Sequence, residues 1–255
     1  MVTIATWNVN SLRVRLPHVL DFLQVHQPDV LALQETKLPD ADFPIDAFKE
    51  IGLNVVFSGQ RTYNGVAIIS RAKVNDVITD FPDFVDPQRR LLMAVVQGIC
   101  ILNIYVPNGE SVESEKYQYK LNWLSHLTHF IKKQLKKYPD LVVLGDFNIA
   151  PKEIDVRNPE SWEGKVLFSQ PERQAFQALL DLGLVDLFRA KNPTEQAYSW
   201  WDYRMNAFKR NLGLRIDHIL CSQPLYARSK SGSIDKAPRA LQRPSDHAPV
   251  IAQFA

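Results

Sequence analysis

Asp146 and Asn148 stand two residues apart in Leu141-Val142-Val143-Leu144-Gly145-Asp146-Phe147-Asn148. In extended backbone, residues i and i+2 point to the same side. A carboxylate and a carboxamide aimed at one spot can take a proton from a water and hold that water in place. The same pair would also suit an Asx-type turn closing a buried strand. Asn8 and Asn10 repeat the spacing near the start of the chain. Glu35 follows the short apolar run Val30-Leu31-Ala32-Leu33, where a strand-end acid is either solvated or aimed at a ligand. Tyr105 is a core aromatic or a phenol offered to a ligand. Asp217 interrupts an apolar stretch, where a carboxylate is costly unless paired. His247 has Asp246 beside it at a loop–strand junction, a setting that suits an acid-oriented imidazole. His18, His26, His126, His129 and His218 fall on helical or apolar stretches and read as structural.

These residues need elements to position them. Val2–Trp7 reads as a strand, and Leu16, Leu20 and Leu23 recur at helical spacing after it, with Pro17 near that helix's start. Val30–Leu33 is a second, buried strand. Strand–helix–strand order predicts parallel pairing with a crossover. It puts Asn8, Asn10 and Glu35 at the carboxyl ends of neighbouring strands, where open α/β sheets hold ligands. Val55–Phe57, Val66–Ile69, Leu92–Val96, Ile99–Val106 and Leu141–Leu144 read as further strands. Residues 116–137 carry a helical stripe of Leu121, Leu124, Leu127, Ile131 and Leu135. Residues 151–170 form a long polar loop, a feature that is usually functional or mobile. Ser169 and Glu172 have capping-box spacing and open a helix that Gly183 ends. Leu184–Phe188, Tyr198–Trp201, Arg215–Cys221 and Pro249–Phe254 complete the strands. No linker or low-complexity tract divides residues 1–255, so one domain is expected. A strand-end acid and an Asn in each half hint at two packed sheets.

With 45% hydrophobic and 23% charged residues, the 255-residue chain is an ordinary globular protein with ample core. Its net charge of +2 names no partner. From Trp200 onward, however, nine Lys/Arg face four Asp, which suits a polyanion. Two cysteines make neither a disulfide framework nor a zinc pattern, and both sit in apolar runs as buried thiols. No signal peptide and no membrane-spanning run is evident, so a cytoplasmic protein without a membrane partner is expected.

Seven motifs, in order, resemble the exonuclease III/AP endonuclease family of the exonuclease–endonuclease–phosphatase superfamily. They are Trp7-Asn8-Val9-Asn10, Leu33-Gln34-Glu35-Thr36-Lys37, Asn103-Ile104-Tyr105-Val106-Pro107-Asn108-Gly109, Gly145-Asp146-Phe147-Asn148, Trp200-Trp201-Asp202-Tyr203-Arg204, Gly213-Leu214-Arg215-Ile216-Asp217 and Ser245-Asp246-His247-Ala248-Pro249. The resemblance covers nearly the whole chain. It implies a four-layer α/β sandwich, two packed mixed β-sheets flanked by helices. It implies a DNA-repair nuclease dependent on Mg²⁺ or Mn²⁺, with 3′→5′ exonuclease action on duplex DNA, cleavage beside abasic sites and removal of 3′ phosphates. Its partner would be double-stranded DNA, abasic or 3′-blocked, and the protein would be a monomer.

By the same resemblance, Glu35 is the principal metal ligand, with Asn10 nearby and Asp246 a second contact. Asp146 activates the water and Asn148 orients it. Asn8 and Tyr105 position the site and the phosphate, and Asp217 holds the His247 imidazole. Arg61 and Tyr63 in the Gly59–Gly65 loop, Arg89 with Asn108, and Tyr203 with Arg204 bind DNA. Trp200, Leu214 and Ile216 wall a pocket for a base-less sugar. Thr62-Tyr63-Asn64 and the loop 157–168 depart from the family pattern. Two other functions fit parts of the same pattern. One is a superfamily phosphatase acting on phosphoinositides or phospholipids, against which the Trp-rich Ser199–Arg204 segment counts. The other is a non-catalytic DNA-binding module, against which the intact set of reactive side chains counts.

Overall fold

The computed structural model describes residues 1–255. Its strands are β1 (Val2–Asn8), β2 (Val30–Gln34), β3 (Asn54–Ser58), β4 (Val66–Ser70), β5 (Val74–Ile78), β6 (Leu91–Val96), β7 (Ile99–Tyr105), β8 (Leu141–Asp146), β9 (Leu184–Asp186), β10 (Asp217–Ser222), β11 (Ser229–Ile234) and β12 (Val250–Phe254). Its helices are α1 (Leu12–His26), α2 (Ile45–Lys49), α3 (Glu115–Lys137), α4 (Pro159–Trp162), α5 (Gln170–Leu180), α6 (Leu187–Lys191) and α7 (Gln223–Ala227). The strands build two six-stranded sheets, in the orders β11-β12-β1-β2-β4-β3 and β5-β6-β7-β8-β10-β9. Both sheets are mixed. β1 runs parallel to β2 across α1, as strand–helix–strand order predicts, and β7 runs parallel to β8 across α3.

Side-chain alternation along the central strands sets the layers. On β1, Ile4 packs between the sheets with Val30, Ala32, Val142 and Leu144, while Ala5 and Trp7 face Val19, Phe22 and Leu23 of α1. On β8, Val142 and Leu144 face inward, whereas Leu141 and Val143 face Trp123, Leu124 and Leu127 of α3 and Phe176 and Leu179 of α5. The result is helix on sheet on sheet on helix, the four-layer sandwich that the resemblance implies. Central strands buried on both faces explain their unbroken apolar runs.

Helix ends follow local chemistry. Ser114 caps α3 by accepting from the Tyr117 amide at 3.1 Å. Ser169 and Glu172 form the expected capping box on α5. The sequence reading differs from the structure mainly at sheet edges. β5 (Val-Asn-Asp-Val-Ile) and β11 (Ser-Lys-Ser-Gly-Ser-Ile) are polar edge strands, which need little apolar content and so read as loops. The expected strand Leu184–Phe188 stops at Asp186, whose carboxylate accepts from the Arg189 amide and opens α6. Around Tyr198–Trp201, only isolated bridges from Trp200 to Leu214 and His247 form.

Candidate active site

Strand register gathers the reactive residues at one end of the two sheets. Asn8 lies opposite Gln34 at the parallel β1–β2 ends, so Glu35 leaves the sheet beside it. Asp146 is opposite Tyr105 on one side and Asp217 on the other. Gly145 is needed just before Asp146: its φ is +137°, and a Cβ there would lie 2.0 Å from the Ile104 carbonyl oxygen. Asn10, Glu35 and Asn148 adopt left-handed backbone, with φ of 44°, 52° and 50°. Local strain of this kind clusters where side chains are aimed for function.

Asp146 is the hub. Its Oδ2 accepts from Asn8 Nδ2 at 2.8 Å and from Asn148 Nδ2 at 3.3 Å, and its Oδ1 accepts from the Asn148 amide at 2.9 Å. Asn8 Nδ2 also donates to Glu35 Oε1 at 2.8 Å, so one amide holds the two carboxylates together. His247 Nε2 lies 3.7 Å from Asp146 Oδ2, and its Nδ1 donates to Asp217 at 2.9 Å. Ser199 Oγ accepts from the Ile216 and Asp217 amides, which fixes Asp217 in turn. Asn10 Nδ2 donates to Asp246 Oδ1 at 2.9 Å, and Trp200 Nε1 donates to Asp246 Oδ2 at 3.0 Å.

Electrostatics separate the roles. Burial pushes Asp146 up to about 7, with Asp217 and Glu35 adding to it against the pull of His247 and the Asn8 hydrogen bond. A carboxylate with that affinity for protons suits a general base working near neutrality. Burial works against a charged His247, but Asp217 and Asp146 beside it prevail and push it up to about 10. Burial would also raise Asp246; His247, Trp200 and Asn10 more than offset this and hold it below the usual carboxylate range. Desolvation and the Glu35 charge keep the Tyr105 phenol protonated.

Ligand atoms of Glu35, Asp146 and His247 lie within 4.8 Å of one another. A cationic imidazole has no lone pair to offer, so the usable donors are carboxylate oxygens. Hard oxygen donors fit a cation such as Mg²⁺ or Mn²⁺.

The other sequence candidates divide into two groups. A cleft of about 410 Å³ runs from Glu35 and Tyr105 past Asn108 to Tyr63. Arg61 is exposed on the same loop. Across Asp246, Trp200 and Arg204 line a second cleft of about 470 Å³, and Tyr203 is exposed nearby. Arg89 turns away to Asp80 at 2.7 Å. Its neighbour Arg90 enters the first cleft, stacks on the Tyr105 ring at 4.5 Å and donates to the Tyr105 carbonyl. Leu214 and Ile216 are buried among Ala150, Val156, Leu167 and Phe168. Lys37 is absent from the sequence candidates, yet its ammonium bridges Glu35 Oε2 at 2.9 Å and Asn10 Oδ1 at 2.6 Å. Its signal was the i, i+2 spacing from Glu35. Arg15 carried no signal; it joins the Asn10 carbonyl, the Tyr203 hydroxyl and the Pro244 carbonyl from α1.

The chain and its fold are similar to known proteins. Residues 5–247 match the pattern of the Endonuclease/Exonuclease/phosphatase family. The chain is 38% identical to exodeoxyribonuclease III of Haemophilus influenzae over 98% of both chains. The fold superimposes on a 3′ phosphatase, NExo, from Neisseria bound to a product DNA hairpin, with a TM-score of 0.99, 49% identity and complete coverage of both chains. An AP endonuclease from Archaeoglobus fulgidus is similar too, with a TM-score of 0.96 and 42% identity over 100% of this chain and 99% of that one.

Proposed function

The chain belongs to the endonuclease/exonuclease/phosphatase family and is a hydrolytic DNA-repair nuclease, and we propose that the cluster centred on Asp146 is where it hydrolyses phosphate esters at DNA 3′ ends and abasic sites. One observation carries the assignment: Asn8, Asn148 and His247, from three distant parts of the chain, converge on the Asp146 carboxylate.

Asp146 takes the proton of the attacking water, and the Asn148 carboxamide orients that water. His247, kept cationic by Asp217, gives an N–H to a phosphate oxygen as its charge grows. Asn8 holds Asp146 and Glu35 at a fixed separation. Tyr105, protonated, offers a further hydrogen bond to the phosphate. Glu35 would be the principal ligand of a divalent cation, Mg²⁺ or Mn²⁺, with Asn10 and Asp246 adjacent. Bound there, the ion supplies charge neutralisation and leaving-group stabilisation. Tyr63, Arg61 and Asn108 on one side, with Trp200, Tyr203 and Arg204 on the other, contact the duplex backbone on both sides of the scissile bond. The reading includes action as a monomer in the cytoplasm, where the two free, buried thiols of Cys100 and Cys221 stay reduced.

The test uses duplexes carrying a 3′ phosphate, a recessed 3′ end or one abasic-site analogue, each with Mg²⁺, Mn²⁺ or EDTA. Metal-dependent release of phosphate, a ladder of shortened strands or a single incision reports each activity separately. No product from any duplex would refute the assignment.

A further inference from the structure

Lys120 lies in the apolar stripe of α3 and is fully buried, as is its partner Glu172 on α5. The three N–H bonds of the ammonium match three acceptors: the Asn148 carbonyl at 2.7 Å, the Asn108 carbonyl at 3.0 Å and Glu172 Oε1. Glu172 is itself fixed by the Leu167 and Ser169 amides, both at 3.0 Å, and by Ser169 Oγ, which also meets Tyr117 Oη of α3 at 2.5 Å. The two carbonyls belong to the loops after β7 and β8. Their side chains touch as well, Asn108 Nδ2 donating to Asn148 Oδ1 at 3.1 Å. A buried ion pair is a poor source of stability compared with apolar side chains of similar volume. The fold alone therefore gives no reason for a lysine in this stripe. The loop it grips does, since Asn148 sits in left-handed backbone and is two bonds from the ammonium to Asp146.

We infer that Lys120 is a positioning residue for hydrolysis: its ammonium sets the backbone on which the Asn148 and Asn108 carboxamides are mounted, and so the direction from which the attacking water is presented. The cation touches no substrate. It acts through Asn148, and the inference rests on Asn148 being the group that orients water.

The test is the pair variant Lys120→Met/Glu172→Gln, which removes both charges at nearly constant volume, so that neither is left as a lone buried charge, and frees the Asn148 and Asn108 carbonyls from the ammonium. The two carbonyls lose a buried donor, so its thermal midpoint should fall, and its kinetics are read well below that midpoint, where it is folded. On a 3′-phosphorylated duplex with Mg²⁺, kcat should fall by about 10- to 100-fold, the range expected for a misplaced group, with KM nearly unchanged. Introduced into Asn148→Ala, the same pair change should cost less than about threefold, because residues acting as one unit are not additive. An undiminished kcat in the folded pair variant overturns the inference, as does an equal loss in both backgrounds. If Asn148→Ala alone keeps the parental kcat, the water-orienting assignment fails and the inference falls with it, which separates the two failures. Glu172→Gln alone, which loosens the ammonium but leaves it in place, is read by the same criterion where the pair variant does not fold. A loss that vanishes in the Asn148→Ala background supports the inference, and one that persists overturns it.

Discussion

Two clusters of buried charge share β10, and they are built on opposite terms. Asp217 and His218 are consecutive, so they point to opposite faces of the strand. His218 enters a closed cluster. Arg215 Nε donates to Asp155 at 2.7 Å, its Nη2 donates to Asp186 at 2.7 Å, and Arg189 donates to Asp155 at 2.6 Å. Burial and Arg215 push His218 down to about 4, so it is neutral. Its Nδ1 then accepts from Arg215, and its Nε2 donates to the Ile149 carbonyl. Two cations meet two anions. Asp217 enters the other cluster, where Glu35, Asp146, Asp217 and Asp246 outnumber His247 and Lys37. Burial opposes charge on Asp155 and Asp186 too, but Arg215 overcomes it and holds both below their usual value. Asp146, equally buried, goes the other way, up to about 7. The side chain and depth are the same, so the difference is the number of cations within reach. A balanced cluster holds the fold, whereas an unbalanced one is poised to take a proton or a cation.

Removing one charge from each cluster should have separable consequences. Asp146→Asn should lower kcat by about 10³–10⁴-fold, the upper range for loss of a general base, with DNA affinity and unfolding midpoint nearly unchanged. Equal loss of binding and turnover would place Asp146 in substrate binding instead. Arg215→Met strands Asp186 and leaves Asp155 to Arg189 alone, and should cost about 3–5 kcal/mol of stability in urea unfolding, as for one partner removed from a buried pair. Unaltered stability would mean that the second cluster is not structural, and the contrast would be lost.

The unbalanced cluster was the more legible of the two in sequence. Asp146 and Asn148 announce themselves by spacing at the end of an apolar run, and Glu35 by its place after a short strand. Their partners came through resemblance, because nothing local says that Asp217 meets a histidine thirty residues on. Nothing in the sequence marks the closed cluster: Asp155, Asp186 and Arg215 lie in three segments joined only by the fold. Lys120 hides in a helical stripe where apolar periodicity leads the eye past it. Arg90 goes unmarked as well, since nothing local separates it from Arg89 and only the fold brings it onto the Tyr105 ring. Central strands read well because burial on both faces leaves an apolar run, and β5 and β11 did not because edges lack one.

If the charge imbalance exists to hold a cation, Glu35→Ala should weaken the response to metal. The Mg²⁺ concentration giving half-maximal activity should rise by about 10-fold or more, at least the effect of losing a group that merely supports a ligand. An unchanged titration would separate Glu35 from the metal. The balanced cluster should instead show itself against pH. The folded-state pKa values of Asp155 and Asp186 are depressed. Their stabilisation is therefore fully present above about pH 4, the unfolded carboxylate value, and is lost as pH falls through the folded values. Stability measured from pH 5 downward should drop below about pH 4, and the double change Asp155→Asn/Asp186→Asn should flatten that drop while lowering stability at pH 7. An acid limb of equal steepness in the variant would show that other carboxylates control it.

The smallest effect belongs to charge that lies outside both clusters. Arg204 is bound to Asp202 by contacts of 2.6–3.1 Å, yet its side chain is 85% exposed. An exposed pair of this kind contributes little to stability, so Arg204→Ala should leave unfolding unchanged. What Arg204 has to offer is a cation beside Trp200, on the cleft that flanks Asp246. If it meets a backbone phosphate, its loss should weaken duplex binding uniformly across sequences. It should also reduce the slope of log affinity against log salt by about one, the value for a single phosphate contact. The measurement is a salt titration of DNA binding in EDTA, where no hydrolysis intervenes. A reduced slope with unchanged stability would put Arg204 on the DNA path. An unchanged slope would leave Asp202 as its only partner, and the basic C-terminal third would have to reach DNA through other residues.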